Sequence, residues 1–347
     1  MIKQAIIKLS KNSSLTSSEA EKVFEEIFKK KATHVQIAAF LVALSMKGEC
    51  EEEITAAAKV VRDHACKINV RTSFIGIENK DESIIDTCGT GGSGANKFNI
   101  STAVSFVVAA GGAKVAKHGN RAMSSSCGSA DAFEALGVKI DTLPCVMESA
   151  IRKINVGFLY APLYHPALKD VAGIRREIGI RTVFNILGPL CNPAFTTHQL
   201  LGVHSENLLG VMAKVLKNIG IKRAFVVCSK DLKDEVSLSS KTEVAFLDNK
   251  KIKRMILSPS DFGLKRIKLK DLEVKSAKDS ASVIKDILNG KKGAPRSIVL
   301  ANAACCFYIL GKAQTLKEGV KLAAEIVDSG QAKKKLLELR KFIKNNA

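Results

Sequence analysis

The sequence contains no tryptophan and only three tyrosines, so it offers few of the rings on which proteins stack the bases of single-stranded nucleic acid. No apolar run reaches the roughly 18 to 20 residues that a membrane-spanning helix needs. The N-terminal segment MIKQAIIKLSKNSS has no long apolar core before a small-residue cleavage site, so we expect no signal peptide. These absences predict a protein that neither spans a membrane nor has nucleic acid as its main ligand.

The cysteines also lack a pattern. There are nine, an odd number, with no CxxC pair and no Cys/His spacing typical of a zinc site. Cys305 and Cys306 are adjacent within an apolar run, where small buried side chains are the expectation. We therefore predict a reducing, cytoplasmic environment.

Acidic residues are scarce, since 34 Asp and Glu face 54 Lys and Arg and the net charge is +20. Such a chain either presents a nucleic-acid surface or handles anionic small molecules. The lysines are spread thinly through 250–292 and 333–344, with few aromatic residues between them. This distribution favours small anionic ligands.

The hydrophobic periodicity predicts two parts. A chain of 347 residues, 46% hydrophobic, can bury a large core and fits one large domain plus a smaller one. Residues 1–69 are predicted to form a small all-α domain, completed by inserted helices at about 165–187. Residues 70–164 and 188–347 alternate short strands, including VKID at 138–141, with helices. This alternation predicts an α/β fold with a mostly parallel central sheet.

The first candidate site is the glycine-rich segment Gly89–Gly94, which follows a predicted strand and is followed by Asn99, Ser101 and Thr102 before a helix. Glycines let a backbone approach a ligand closely, and a helix N-terminus binds anions. The spacing is neither a Walker loop nor GxGxxG. A capped turn without a ligand remains the alternative.

The second candidate site is Lys117–Arg121, with the sequence KHGNR at the end of a predicted strand. Ligands of parallel sheets bind at the carboxyl ends of strands. Two cations, an imidazole and an amide suit a diphosphate plus a carboxylate. The alternative is a solvated basic turn.

Two further segments carry charge of opposite sign. Arg175, Arg176 and Arg181 follow His165 in a basic helical stretch, and an arginine fork suits a carboxylate. Structural ion pairing is the alternative.

The other segment is acidic. Asp234-Glu235 follows another predicted strand, and adjacent carboxylates suit Mg²⁺. An acidic surface turn is the alternative there.

Taken together, these segments resemble the anthranilate phosphoribosyltransferase family. The resemblance is carried by GTGGSGANKFNIST, KHGNRAMSSSCGSADAFEALG, FLYAPLYHPALKDVAGIRREIGIRTVFNILGPLCNPA and DEVSLSS. The N-terminal AAFLVALSMKGE and the late ANAACCFYILGKA through VDSG also resemble the family, so the resemblance covers nearly the whole chain. It implies a Mg²⁺-dependent transfer of the phosphoribosyl group of phosphoribosyl diphosphate to anthranilate, in tryptophan biosynthesis. It also implies a cleft between a helical and an α/β domain, and a homodimer formed through the helical domain.

The resemblance assigns roles to individual residues. Lys117 and Arg175 would be catalytic, the first on the departing diphosphate and the second on the carboxylate of anthranilate. Residues that would bind phosphoribosyl diphosphate are Gly89, Gly92, Ser93, Lys97, Asn99, Ile100, Ser101, Thr102, Lys117, His118, Gly119, Asn120, Arg121, Ala122, Met123, Ser124, Ser125 and Ser129. Those along the anthranilate path would be Gly89, His118, Asn120, His165 and Arg175. Those that would place magnesium are Ser101, Asp234 and Glu235.

The chain departs from the family pattern at four positions. Ser93 stands where Asp is usual, Lys97 where Thr is common, and Ser126 and Cys127 where Lys and Ser are usual. A more electropositive loop predicts tighter diphosphate binding with weaker or shifted metal occupancy. Identical magnesium activation of the wild type and Ser93→Asp would contradict that hypothesis.

Two other functions compete with this one. The architecture also resembles pyrimidine nucleoside phosphorylases, although KHGNR and DEVS favour the transferase. A catalytically silent relative that binds nucleic acid through a basic cleft is the second alternative. Salt-dependent DNA binding without product formation would select it.

Overall fold

The structure is a computed structural model, and it describes residues 1–74, 77–79, 81–91, 96–122 and 127–346. The N-terminal part is a bundle of four helices: α1 (Ile2–Ser10), α2 (Ser17–Phe28), α3 (His34–Lys47) and α4 (Glu51–Asp63). Helices α2 and α3 begin at reciprocal caps, in which Thr16 pairs with Glu19 and Thr33 with Gln36. Each cap satisfies two backbone N–H groups that a helix start leaves without partners, so these boundaries are encoded locally.

The rest of the chain is built on a sheet of seven strands. After a two-stranded ribbon of β1 (Ser73–Phe74) and β2 (Ile77–Glu78) come β3 (Ile84–Gly89), β4 (Lys114–Gly119), β5 (Val156–Tyr160), β6 (His198–Gly202), β7 (Arg223–Ser229), β8 (Thr242–Asp248) and β9 (Lys251–Leu257). The order is β5-β4-β3-β6-β7-β8-β9. The first five are parallel, and β8 and β9 are antiparallel. The predicted fold class is confirmed.

Helices cover both faces of this sheet. They are α5 (Ile100–Ala110), α6 (Ser129–Ala135), α7 (Pro144–Ile154), α8 (Ala161–Tyr164), α9 (Lys169–Ile178), α10 (Phe184–Leu187), α11 (Leu208–Asn218), α12 (Ala277–Leu288), α13 (Ala294–Ile309), α14 (Leu316–Asp328) and α15 (Gln331–Asn346). Among the described residues, no helix is long and apolar enough to cross a membrane. All nine cysteines lie in the described part, and none of them forms a disulfide there.

The predicted strand VKID at 138–141 is wrong, because these residues form no strand. They follow α6 through Gly137, whose φ of +82° turns the chain. Val138 and Ile140 are buried, so their alternation with polar neighbours imitates a strand although they fill the core from a loop. The strand of this region is β5, and the pattern did not indicate it, the preceding α7, or the β8–β9 hairpin.

The segment 165–187 packs onto the helical bundle. The ring of Phe184 lies 6.2 Å from that of Phe24 and 6.4 Å from that of Phe28. Val171 and Ile174 of α9 are buried in the same hydrophobic cluster as the bundle. Near the carboxyl end of β4, His118 contacts this segment, since its ring lies 5.1 Å from that of His165. The numerical domain boundaries remain a prediction.

Candidate active site

Lys117 lies at the carboxyl end of β4 and is almost fully buried, with 1% of its surface exposed. Its ammonium donates to the backbone oxygen of Thr87 at 2.5 Å and to Ser101 Oγ at 3.0 Å. A buried cation needs such partners, since desolvation of a charge is costly. The burial excludes a solvated basic turn for this lysine. Lys117 instead joins the ends of β3, β4 and α5.

The N-terminus of α5 is fixed by side-chain contacts. Asn99 precedes the helix, and its amide donates to the backbone oxygen of Cys127 at 3.1 Å and to its Sγ at 3.2 Å. Ile100 is fully buried. Thr102 is also fully buried, and its hydroxyl has no hydrogen-bond partner among the described residues. This helix start is therefore held in place, and its Ser101 contacts the Lys117 ammonium.

Asp234 and Glu235 reach the same place from the loop after β7. They line a small cavity together with Gly89 and Ser101. The approach is close because Gly202 has no side chain: a Cβ there would lie 1.8 Å from the backbone oxygen of Asp234. A Cβ at Gly89 would lie 3.1 Å from Asp234 Oδ2. The structure thus brings the predicted glycine, hydroxyl and carboxylates together.

Lysine and carboxylate charges meet at this cavity. Desolvation raises the pKa of the Glu235 carboxyl above its usual value; the Lys97 ammonium opposes this rise and the Asp234 carboxylate adds to it. Asp234 accepts a hydrogen bond from Lys97 Nζ at 2.5 Å. Within the described residues, no three His, Cys, Asp or Glu side chains gather as a metal site. Two carboxylates and a hydroxyl nevertheless fit Mg²⁺, which takes few protein ligands and completes its shell with water and substrate phosphate.

His118 and His165 form a second, neutral region. Their rings lie 5.1 Å apart with an interplanar angle of 69°, and His118 Nδ1 lies 3.1 Å from the backbone oxygen of Gly188. Burial lowers the pKa of His118 to about 3, with the neighbouring His165 contributing, and burial lowers that of His165 to about 4. Both rings are uncharged near pH 7. Nε2 of His118 is buried without a partner among the described residues.

Arg175 of α9 is partly buried, with its guanidinium 5.5 Å from the centre of the Phe184 ring. Burial lowers the pKa of this guanidinium. It makes no ion pair with any carboxylate in the part of the chain that the structure describes. Structural ion pairing therefore does not account for Arg175, which leaves its fork available for a carboxylate ligand.

The residues after Lys117 contact α6, either by close packing or by hydrogen bonds and ion pairs. A Cβ at Gly119 would lie 2.0 Å from Ser129 Oγ, so only glycine fits there. Arg121 donates to Glu134 at 2.7 and 2.9 Å and to Asp131 at 3.0 Å. Asp131 also accepts from the backbone N–H of Ala122 at 3.0 Å. The structure thus engages Arg121 with α6.

Comparisons with known proteins show the family to which the chain belongs. The family model described as "Glycosyl transferase family, a/b domain" matches residues 81–333, and "Glycosyl transferase family, helical bundle domain" matches residues 3–65. The chain is 49% identical over 344 residues to an anthranilate phosphoribosyltransferase of Geobacter sp. (strain M21), covering 98% of both proteins. The chain belongs to the anthranilate phosphoribosyltransferase family. The predicted family and enzyme class are confirmed.

Solved structures of the family have the same fold. The anthranilate phosphoribosyltransferase of Thermus thermophilus aligns with a TM-score of 0.90 at 37% identity, over 98% of this chain and 99% of that one. The Saccharomyces cerevisiae enzyme, solved in complex with PRPP and Mg, aligns with a TM-score of 0.87 at 29% identity, over 99% and 98% of the two chains. The resemblance therefore extends over the whole chain.

The sequence motifs did not indicate every residue that supports the candidate active site. Asp86 is fully buried in β3 and accepts hydrogen bonds from the backbone N–H of His118 at 3.2 Å and from Asn192 Nδ2 at 2.8 Å. Asn192 also donates to the backbone oxygen of Ala116 at 2.7 Å. A carboxylate within the apolar strand SIIDTC was the available signal, since a buried charge requires a partner. Gly202 carried no such signal.

Several predicted diphosphate ligands lie outside the described residues. They are Gly92, Ser93, Met123, Ser124 and Ser125. Asn120, which is described, accepts a hydrogen bond from the N–H of Arg121 through its side-chain oxygen at 2.8 Å.

Proposed function

We propose that the protein transfers the phosphoribosyl group of 5-phosphoribosyl 1-diphosphate to the amine of anthranilate, releasing diphosphate. The product is N-(5-phosphoribosyl)anthranilate, the second step of tryptophan biosynthesis from chorismate. One observation carries this proposal: a buried lysine, a helix N-terminus and two carboxylates meet at the ends of adjacent parallel strands. The names of full-length relatives support it.

The polar cavity is suited to the diphosphate and its metal. Asp234, Glu235 and the hydroxyl of Ser101 would hold Mg²⁺, which supplies charge neutralisation to the leaving diphosphate. The Mg bound to the yeast relative supports this cofactor. Lys117 is held so firmly that its ammonium needs little reorganisation when negative charge develops nearby. Preorganised charge of this kind is a large term in catalysis.

The neutral region is suited to an aromatic acid. The amine of anthranilate is already an uncharged nucleophile, so the reaction needs no strong base, and His118 and His165 act as walls that orient the ring. The lowered pKa of each histidine keeps these walls uncharged. Arg175 is available to bind the carboxylate bidentately. Holding both substrates in one cleft supplies the remaining advantage.

The protein is proposed to act as a cytoplasmic homodimer that pairs through its helical bundle. Supporting this, the bundle exposes large apolar side chains, with 57% of Ile7, 79% of Val35 and 83% of Met46 accessible. Exposed apolar groups mark an interface where they form a contiguous patch. Nucleic acid and membranes are not among its proposed partners. Light scattering of the purified chain measures the assembly, and a monomeric mass would contradict it.

Loss of anthranilate fluorescence tests the activity directly. We expect the signal to fall only when enzyme, phosphoribosyl diphosphate and Mg²⁺ are all present, with one diphosphate released for each anthranilate consumed. Omission of Mg²⁺ or addition of EDTA serves as the control. No product under saturating substrates and metal would reject the proposed function.

A further inference from the structure

The Lys97 ammonium contacts Asp234, a carboxylate that is proposed to bind the metal. Its ammonium lies 2.5 Å from Asp234 Oδ1 and 2.9 Å from the backbone oxygen of Leu232. The side chains of Lys97 and Asp234 are only 12% and 13% exposed. An ion pair so shielded from water is stronger than a surface pair, because solvent screens it less.

The backbone of Lys97 is anchored independently of its side chain. On one side, the N–H of Phe98 donates to the oxygen of Leu272 at 3.0 Å; on the other, the N–H of Val274 donates to the oxygen of Asn96 at 3.0 Å. Phe98 is fully buried. The Cα of Lys97 is therefore fixed, whereas its four-carbon side chain retains rotatable bonds that can carry the ammonium elsewhere.

Asp234 is fixed from the opposite side. Its backbone rests against Gly202, and the next residues are tied to α13 by Asn302, which accepts from the N–H of Val236 at 3.2 Å and donates to its oxygen at 3.1 Å. The backbone of Asp234 is therefore held in place, and its short side chain reaches less far than that of a lysine. The lysine side chain is the movable partner.

We propose that Lys97 is a built-in competitor of the divalent ion: its ammonium holds Asp234 before metal binds, and the metal must displace it. This inference rests on the proposed function, since that function assigns Asp234 to the metal. The exchange replaces one cation by another, with the ammonium remaining protonated throughout. Once displaced, Lys97 adds a positive charge to the loop that is proposed to bind diphosphate.

The shared cavity supports the competition. Asp234 lines it together with Glu235 and Ser101, the other proposed metal ligands. A divalent ion bound there would therefore meet the carboxylate whose oxygen the Lys97 ammonium contacts. Removal of that ammonium leaves two neighbouring carboxylates without this cation, which favours a divalent ion in its place.

Metal binding without substrate tests the proposal. Free Mn²⁺ is counted by electron paramagnetic resonance in metal-stripped wild type, Lys97→Met and Lys230→Met. We expect Lys97→Met to bind Mn²⁺ about tenfold more tightly than the wild type, the scale of a lost charge-assisted hydrogen bond. Lys230, exposed at the end of β7, is the matched control; its variant loses the same charge and should bind Mn²⁺ as the wild type does.

A second readout uses folding. In EDTA, Lys97→Met should melt at a lower temperature than the wild type, and Mn²⁺ should raise its Tm by more than it raises that of the wild type. If Lys97→Met does not fold, Lys97→Thr, which also lacks the ammonium, takes its place. Equal or weaker Mn²⁺ affinity in the folded Lys97 variant would overturn the inference, as would a gain of the same size in Lys230→Met.

The two proposals fail in different ways. The wild-type preparation is assayed in parallel for phosphoribosyl transfer at saturating Mg²⁺. Absence of product rejects the proposed function whatever the Mn²⁺ affinities are. Product formation together with unchanged Mn²⁺ affinity in Lys97→Met rejects only the competition.

Discussion

Lys117 and His118 are neighbours in β4, yet they belong to two different environments. Successive side chains of a strand point to opposite faces of the sheet. Lys117 joins Thr87 and Ser101 on one face, and His118 meets His165 and Gly188 on the other. In the first environment oxygen atoms stabilise the buried Lys117 ammonium. In the second, burial lowers the pKa of both histidines and keeps them uncharged. One strand thereby separates the proposed diphosphate site from the proposed anthranilate site.

Among the variants that test this comparison, loss of Lys117 should have the largest effect on kcat/KM. Lys117→Met should lower kcat/KM about 100- to 1,000-fold, because a preorganised cation is lost from the leaving diphosphate. The anthranilate fluorescence assay measures it. Lys114→Met is the matched control: Lys114 is the buried lysine at the other end of β4, bound to Glu82 and Val70. Its variant should lose stability and keep kcat/KM. Unchanged kinetics in Lys117→Met would refute the role of the lysine.

Removal of the two carboxylates should act on the same environment through the metal. Asp234→Ala combined with Glu235→Ala should lower kcat/KM about 100-fold, since the Mg²⁺ that neutralises the diphosphate loses its protein ligands. The concentration of Mg²⁺ that gives half-maximal activity should rise. Activation curves over a range of Mg²⁺ measure both effects. A double variant with the magnesium dependence of the wild type would contradict the assignment.

Substitution of Arg175, in the proposed anthranilate site, should have a smaller effect on activity. Arg175→Ala should raise the KM for anthranilate about tenfold and change that for phosphoribosyl diphosphate little, the scale of one lost charge-assisted contact. Initial rates with each substrate varied in turn separate the two constants. Arg176→Ala, a neighbour on the exposed side of α9, is the control and should match the wild type. A rise only in the KM for phosphoribosyl diphosphate would contradict the assignment of Arg175 to the anthranilate carboxylate.

The neutral environment also predicts a pH dependence of stability. The folded pKa values of His118 and His165 are about 3 and about 4, below the unfolded value of 6.5. Between pH 6.5 and 4 the unfolded chain therefore binds protons that the folded chain does not, and stability falls as pH falls. Each histidine contributes about 1.4 kcal/mol per pH unit.

The measurement compares urea unfolding of the wild type and of His118→Gln with His165→Gln. The double variant should lose less stability than the wild type between pH 6.5 and pH 4.5, because it lacks both histidine contributions. Other groups titrate equally in the two proteins, so the difference isolates the pair. Parallel pH profiles would show that these rings are not neutral by burial.

The sequence predicted the elements whose signals are local. The starts of α2 and α3 follow from caps within four residues, and the alternation of strands with helices indicated the parallel sheet. Local signals misled at 138–141, where a buried loop has the same apolar alternation as a strand. Periodicity reports which side chains are buried, and burial alone does not distinguish a loop in the core from a strand.

By itself, the sequence determined the family, the fold class and the chemical type of each site segment, because motif residues and hydrophobic periods are written along the chain. The tertiary structure decided that Lys97 meets Asp234 across 137 positions and that Asp86 supports the backbone of His118. It also decided that Gly202 makes room for the carboxylate loop. Such pairings depend on which strand ends become neighbours in the sheet, and that order is set by packing of the whole core.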